Sequence, residues 1–259
     1  MESAEVRAEA VPDTATPSDT SPSDPSQAPS APQPHTLKKA PWFAWIIFNF
    51  PLLFIALVFP SKNFVSRQDT TFVGFAAFYI VFLSRVLVAA YSGKHSPRVL
   101  EPNKLLSIYI FVGTAMLGFV LPLVYFGYAY FHQISEGMLA VAPILYLLSC
   151  QLFTQYVANG LCFCLPARAL VSVIYNSRLI IAAYDWHRAV GGSEEWLKPA
   201  DGGAPHPWGS LWAQSGRLLA MVNLLYWIFN LFGFLLPIYL PRAFKKHYDL
   251  ERLSRKKKK

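Results

Sequence analysis

Amide side chains recur on one face of the fourth apolar run of the sequence. Gln151, Gln155, Asn159 and Cys162 follow one another at steps of four, four and three residues, which places all four on one side of a helix. Amides are costly when they face lipid, so this side is expected to point into a helix bundle. The stripe would either line a pathway for a polar solute or a lipid headgroup, or supply hydrogen bonds between helices, worth about 0.6 kcal/mol each.

A second polar group lies in the next apolar segment. Arg178 directly follows Asn176 and Ser177, and Asp185 comes two helical turns later, with His187 close behind it. At a membrane interface, Arg178, Asp185 and His187 are candidate contacts for a phosphate headgroup. Because charges inside a membrane are usually paired, the alternative is a structural ion pair between Arg178 and Asp185.

The sequence contains no recognisable pattern of catalytic or metal-binding residues. His132 and Glu136 are four residues apart, but the pair does not repeat and fits no acyltransferase, zinc-protease or phosphatase pattern. The cysteines Cys150, Cys162 and Cys164 form no CxxC motif, so neither a disulfide framework nor a zinc site is predicted. We therefore predict no catalytic residue, no metal and no cofactor, and an enzyme is disfavoured.

Two of these cysteines lie close to the end of a predicted span. Cys162 and Cys164 immediately precede Pro166 and Arg168. This position suits S-palmitoylation, and it equally suits inert buried thiols.

The elements that carry these residues are predicted to lie in lipid. Of the 259 residues, 54% are hydrophobic and 15% are charged, whereas soluble domains are charged at about 25% of positions. A bilayer core needs roughly 20 helical residues, and the chain offers six apolar runs: Trp42–Phe59, Phe72–Tyr91, Leu105–Phe131, Met138–Leu165, Leu170–Tyr184 and Leu218–Leu240. The predicted fold class is all-α, a polytopic transmembrane helix bundle with about six membrane helices and no carboxylate within its spans.

The distribution of charge decides between five and six spans, because Leu170–Tyr184 contains polar residues and Arg178. With six spans, fifteen Lys and Arg residues fall on the side of the C-terminus and five on the other. With five spans the numbers are eleven and ten. Cytosolic loops carry the excess of Lys and Arg, which favours six spans and places both termini in the cytosol. A helix pair that dips into the membrane around Leu170–Tyr184 is the main variant.

Three segments follow from this topology. Residues 1–40 hold seven prolines between Val11 and His35, a composition that favours a disordered cytosolic tail. Residues 41–241 form the transmembrane helical domain, and residues 242–259 form a basic cytosolic tail. The predicted lumenal loop, Asp185–Arg217, holds four tryptophans, so we expect it to lie against the headgroups.

The lysines at the C-terminal end of the sequence give an indication of the cellular compartment. Lys256 and Lys257 stand fourth and third from the end in a run of four lysines. They resemble the dilysine retrieval signal of endoplasmic reticulum membrane proteins, which a coat complex reads on an exposed cytosolic tail. Binding to anionic lipid or the positive-inside rule would also produce such a run. We expect an endoplasmic reticulum protein with membrane lipid and a coat complex as partners. Nine basic residues follow Leu240, so the net charge does not indicate nucleic acid.

A resemblance adds to this interpretation. The stretch Leu165-Pro166-Ala167-Arg168-Ala169-Leu170, continuing through Ile174-Tyr175-Asn176-Ser177-Arg178 to Asp185-Trp186, resembles an uncharacterised family of multi-spanning membrane proteins from green plants and algae. The likeness covers roughly residues 41–248. It implies an integral membrane protein of the green lineage, and it transfers no activity and no functional residue.

Three hypotheses of function follow. The first is a non-enzymatic scaffold, membrane-organising factor or trafficking adaptor that acts through its tails. The second is a transporter or lipid-handling protein that uses the face of Gln151, Gln155 and Asn159 together with Arg178. The third, an interfacial lipid-modifying enzyme, would need Asp185 and His187 around one pocket.

Overall fold

The computed structural model describes residues 42–87, 99, 104–161, 163–192 and 209–257. These residues form six helices and no strand, so the predicted all-α bundle is confirmed. The helices are α1 Trp42–Ser61, α2 Arg67–Leu87, α3 Lys104–Phe131, α4 Ser135–Gly160, α5 Leu165–Gly192 and α6, residues 209–257. The predicted disordered tail, residues 1–40, lies outside the described residues.

Five of these helices, α2 to α6, are long and apolar enough to cross a membrane. In α1 the described apolar part is shorter and covers Phe50–Ser61. Leu170–Tyr184 lies within α5, a single helix of 28 residues, so the dipping helix pair does not form. Large apolar side chains such as Phe78 and Phe131 point away from the protein, as expected of helices that face lipid.

The helices α4 and α5 form the centre of the bundle. Both α1 and α3 pack against α4, α6 packs along α5, and α2 touches both central helices. The two central helices are separated by a break between Gly160 and Leu165, where the sequence predicted that the fourth span continues to Leu165. The α4 helix ends at Gly160, and Pro166 stands at the second position of α5, where its missing N–H costs no hydrogen bond.

The start of α2 places a carboxylate in a helix that crosses the membrane. Ser66 precedes the helix, and its Oγ accepts a hydrogen bond of 3.2 Å from the backbone N–H of Asp69. The Ser66 hydroxyl also donates a 2.7 Å hydrogen bond to Oδ2 of Asp69. This S-x-x-D cap satisfies donors of the first turn. It starts the helix five residues before the predicted Phe72, so the expectation that the spans hold no carboxylate is wrong.

Both α3 and α6 widen into a π-helical stretch, at Ile110–Val120 and Phe229–Tyr239. The widening is visible in hydrogen bonds from the N–H of Leu121 to the carbonyl of Met116, and from that of Leu240 to that of Leu235. Each bond spans five residues instead of the four of an α-helix.

The same five-residue motif overlaps the end of the first π-helical stretch and lies within the second. Gly118-Phe119-Val120-Leu121-Pro122 and Gly233-Phe234-Leu235-Leu236-Pro237 share the pattern Gly-Phe-x-Leu-Pro. A proline ring clashes with the carbonyl four residues before it in an α-helix, and that residue is glycine in both cases. A wider turn relieves the clash, which accounts for the position of both stretches.

The helices α3 and α6 run antiparallel and in close contact. A Cβ added at Gly113 would overlap the ring of Tyr226, and one added at Gly118 would come within 2.8 Å of the Trp227 ring. Further along, Nδ2 of Asn223 donates a 2.9 Å hydrogen bond to the carbonyl of Leu117. The two glycines therefore let the aromatic rings of α6 lie against the backbone of α3.

Two features differ from the expected segments. Trp186 and Trp212, assigned by the sequence to a membrane-surface loop, lie in helices and are buried. Trp212 stacks on Tyr125 with ring centroids 4.4 Å apart. The helix α6 continues without a break past the predicted boundary at residue 241, and Ala243 and His247 are buried.

Candidate functional site

A polar cavity of about 300 Å³ lies between α3, α4, α5 and α6. Its polar lining comes from all four helices and consists of Tyr109, Thr114, Gln151, Arg168, Ser172, Asn176, Asn230 and Tyr239. Apolar side chains, among them Leu106, Ile110, Phe234 and Leu235, complete the wall. Six of the wall residues belong to the two π-helical stretches, namely Ile110, Thr114, Asn230, Phe234, Leu235 and Tyr239.

A chain of side-chain hydrogen bonds crosses one side of this cavity. The hydroxyl of Tyr109 donates to Oδ1 of Asn230 at 2.8 Å, and Nδ2 of Asn230 donates to Oδ1 of Asn176 at 2.7 Å. Nδ2 of Asn176 then donates to the backbone carbonyl of Ser172 at 2.8 Å. The chain ties α3, α6 and α5 together, and it fixes the orientation of both asparagine amides.

Two other polar groups of the wall have no hydrogen-bond partner among the described residues. They are Nε of Arg168 and Oε1 of Gln151, and both atoms are buried. Gln151 as a whole residue is 8% exposed. An unsatisfied buried polar group costs about 1–3 kcal/mol. Arg168 lies in the first turn of α5 and Gln151 in the second half of α4, so a cation and an acceptor from adjacent helices line one cavity.

Residues 46–248 match a family described as a domain of unknown function, DUF7733. The chain belongs to the DUF7733 family. No curated protein and no solved structure shows a significant match to the chain. Every residue of the cavity wall lies within the DUF7733 segment.

The predicted amide stripe reaches the cavity at one residue. Within the DUF7733 segment, Gln151 lines the wall, whereas Gln155 and Asn159 are not among the lining residues. Gln155 is partly buried, and its Oε1 has no hydrogen-bond partner among the residues that the structure describes, whereas Asn159 is exposed near the end of α4. The three amides share a helix face, but α4 packs so that successive turns of that face meet different surroundings.

The predicted headgroup contacts Arg178, Asp185 and His187 do not come together in one site. Nε of Arg178 donates a 2.7 Å hydrogen bond to Oδ1 of Asp69 on α2. The alternative that Arg178 pairs with Asp185 is therefore wrong, because the capped start of α2 brings a closer carboxylate. Asp185 is exposed, and His187 is partly buried with its Nδ1 unpartnered among the described residues.

Asp185 lines a second cleft, of about 390 Å³, at the end of the bundle where α4 begins. Asp69 and Glu136 line the same cleft, while His187 is not among its lining residues. Across the part of the chain that the structure describes, no three His, Cys, Asp or Glu side chains lie close enough to hold a metal ion. The cleft therefore collects acidic side chains without forming a metal site.

The candidate residues outside the bundle interior are placed as follows. Cys164 is buried in the turn between α4 and α5, and burial raises the pKa of its thiol. Cys162 lies outside the described residues. Lys256 is exposed in the last turn of α6, and Lys257 is the last described residue of that helix.

Sequence reasoning missed Tyr109, Asn230 and Tyr239, because each is a single polar residue in an otherwise apolar run. Arg168 entered the sequence argument only as a charge that reports topology. The signal that marks these residues is the repeated Gly-Phe-x-Leu-Pro motif, since Tyr109 adjoins the first π-helical stretch, and Asn230 and Tyr239 lie in the second. In membrane proteins, Gly- and Pro-interrupted helices in matching positions often flank a binding site.

Proposed function

We propose that this integral membrane protein handles a polar-headed membrane ligand, which it holds in the cavity between α3, α4, α5 and α6. The observation that carries this proposal is a pair of buried groups in one cavity wall, Nε of Arg168 and Oε1 of Gln151, for which the described residues offer no hydrogen-bond partner. Polar residues within a membrane are expensive, and those that face a cavity commonly mark a substrate site.

The position of the cavity suits a lipid headgroup. Arg168 lies one turn from the start of α5, and Asn176 lies eight residues further, which is about 12 Å along a helix. The polar wall thus extends from the first turn of α5 to the middle of that helix. A volume of about 300 Å³ lies at the small end of the range for ligand sites, about 300–1,000 Å³. A headgroup fits within it while its acyl chains lie along the apolar outer surface.

The test fills the cavity with a larger apolar side chain. Ser172 lines the wall, and Ser177 is exposed on the same helix. We expect Ser172→Leu to lose lipids that remain bound through purification in mild detergent, and Ser177→Leu to retain them. Native mass spectrometry measures the bound lipid, and the melting temperature of each variant reports its folding. Equal lipid retention by two folded variants rejects the proposed function.

A competing proposal is a scaffold or trafficking role through the tails. The predicted disordered, proline-rich tail of residues 1–40 and the exposed Lys256 support it. Proximity labelling from both tails tests it, since a scaffold must yield reproducible cytosolic neighbours. If only bulk membrane proteins are labelled, this role is excluded.

For the compartment, we propose the endoplasmic reticulum with both termini in the cytosol, in an organism of the green lineage. The excess of Lys and Arg on the C-terminal side and the terminal lysines support this. Replacing Lys256 and Lys257 by Ser is expected to release the protein to the cell surface, away from a coat complex. Glycosylation sites inserted in each loop map the topology in the same experiment. Unchanged localisation of the double variant contradicts the retrieval signal.

A further inference from the structure

We infer that the ligand of this cavity carries a phosphate group together with a neighbouring hydrogen-bond donor, that Arg168 binds the phosphate, and that Gln151 accepts from the donor. The inference rests on the proposed function and specifies the chemistry of the ligand. It follows from the two wall groups that find no partner within the part of the chain that the structure describes.

The first of these groups requires an anion. Arg168 is the charged side chain among the described residues of the wall, and none of them carries a carboxylate. Arg168 takes no part in the ion pairs of Arg178 with Asp69 and of Arg255 with Glu251. A guanidinium in a low-dielectric cavity is stabilised by an anion, and its planar donors match the oxygens of phosphate or carboxylate. The nearby start of α5 adds the positive end of its helix dipole.

The second group requires a donor. Oε1 of Gln151 is a buried acceptor in the same wall, and Gln151 as a whole residue is 8% exposed. Asn176 and Asn230, which are the remaining amides of the wall, already bond to each other. The ligand must therefore present an acceptor to Arg168 and a donor to Gln151.

This combination selects among membrane ligands. A fatty-acid carboxylate satisfies Arg168 but has no donor for Gln151. Phosphatidylcholine has the phosphate, yet its quaternary ammonium carries no N–H. Phosphatidylinositol, phosphatidylserine and phosphatidylethanolamine offer both groups, and so does a soluble phosphate ester such as glycerophosphoinositol. An unpaired buried acceptor disfavours the analogue that lacks a donor.

The experiment measures binding of defined lipids to the purified full-length chain by native mass spectrometry. Phosphatidylinositol is expected to bind about five- to 150-fold more tightly than phosphatidylcholine, which is the ratio of affinities that corresponds to the loss of one buried hydrogen bond. Arg168→Gln is expected to weaken the binding of both lipids, and Arg168→Lys is expected to retain part of the affinity that Arg168→Gln loses. Gln151→Leu is expected to weaken phosphatidylinositol alone.

Matched controls separate this inference from general effects of charge. Arg242 is exposed on α6, so Arg242→Gln is expected to bind both lipids like the native chain. Glu101 lies outside the described residues, two positions from the wall residue Val99. If Glu101→Gln reproduces the loss caused by Arg168→Gln, the partner of Arg168 is a protein carboxylate and the inference is overturned.

The outcomes also separate the two proposals. If Ser172→Leu abolishes lipid binding and Arg168→Gln leaves it unchanged, this inference is overturned and the proposed function is retained. If Ser172→Leu does not change lipid binding, both are rejected. Competition by glycerophosphoinositol at a concentration equal to that of the lipid identifies a soluble phosphate ester as the ligand. Absence of that competition assigns the site to the lipid.

Discussion

Arg178 and Asp69 form an ion pair between α5 and α2, in which Nε and Oδ1 lie 2.7 Å apart although 109 residues separate them in the chain. The Asp69 side chain is 6% exposed and that of Arg178 is 20% exposed. Ser66 holds the other carboxylate oxygen of Asp69 at 2.7 Å. The carboxylate is therefore fixed on two sides, and it neutralises an arginine that lies midway along a membrane helix.

Breaking this pair is expected to destabilise the protein. Asp69→Ala leaves the Arg178 charge without a partner, which costs about 3 kcal/mol when a buried pair loses one member. The double variant Asp69→Ala/Arg178→Ala is expected to recover part of the loss. Thermal unfolding in detergent measures both. The pair of Arg255 with Glu251 is the control, because the Arg255 side chain is 77% exposed, and Arg255→Gln is expected to cost less than about 0.5 kcal/mol. Equal losses for Asp69→Ala and Arg255→Gln contradict the structural importance of the buried pair.

The close approach of α3 and α6 predicts opposite effects of alanine at two glycines of one helix. Gly113→Ala places a methyl group into the Tyr226 ring and is expected to cost about 1–3 kcal/mol, the usual range for overpacking. Gly127 has open space around its Cα, so Gly127→Ala is expected to be neutral or to stabilise by up to about 1 kcal/mol through helix propensity. Unfolding in a denaturant series compares the two, and a neutral Gly113→Ala refutes the close contact.

The prolines of the repeated motif are expected to control the shape of the cavity. In an α-helical turn the ring of Pro237 would clash with the Gly233 carbonyl, and the π-helical turn avoids this clash. Pro237→Ala removes the ring, so we expect the turn to return to α-helical geometry. Asn230 and Phe234 then shift relative to the cavity, and lipid binding is expected to fall while folding is retained. Pro143 lies within the α-helical α4, so Pro143→Ala is the control. Lipid titration of both folded variants measures the effect on binding. If Pro237→Ala and Pro143→Ala both lose binding, the motif has no specific role.

The thiol of Cys164 is expected to resist modification. Burial raises its pKa, so the reactive thiolate is scarcer at neutral pH than for an exposed cysteine, and it increases as the pH rises. A chain that retains only Cys164 is expected to react slowly with a maleimide when folded and rapidly after denaturation. Mass spectrometry counts the adduct. Rapid labelling of the folded chain at neutral pH would restore Cys164 as a candidate for S-palmitoylation.

The candidate site was only partly predictable from sequence. Gln151 was found because regular spacing on a helix face is a local pattern, and Asn176 was noticed beside Arg178. Tyr109 and Asn230 are single polar residues in apolar runs. Their importance depends on the hydrogen bond between their side chains, which joins α3 to α6 across 121 residues of sequence. No local pattern reports such a contact.

The sequence by itself determined that the chain is a helical membrane protein, because hydropathy over about 20 residues is a property of each segment alone. It misplaced the break before Pro166 and the S-x-x-D start of α2, because a run of apolar residues does not record where a helix is capped or ends. Only the tertiary structure decided which carboxylate Arg178 binds, that Trp186 is buried, and that Arg168 and Gln151 meet in one cavity. These outcomes depend on how α2, α3 and α6 pack around the central pair. Helix packing in lipid follows from side-chain shape and hydrogen bonds between distant residues, which hydropathy does not record.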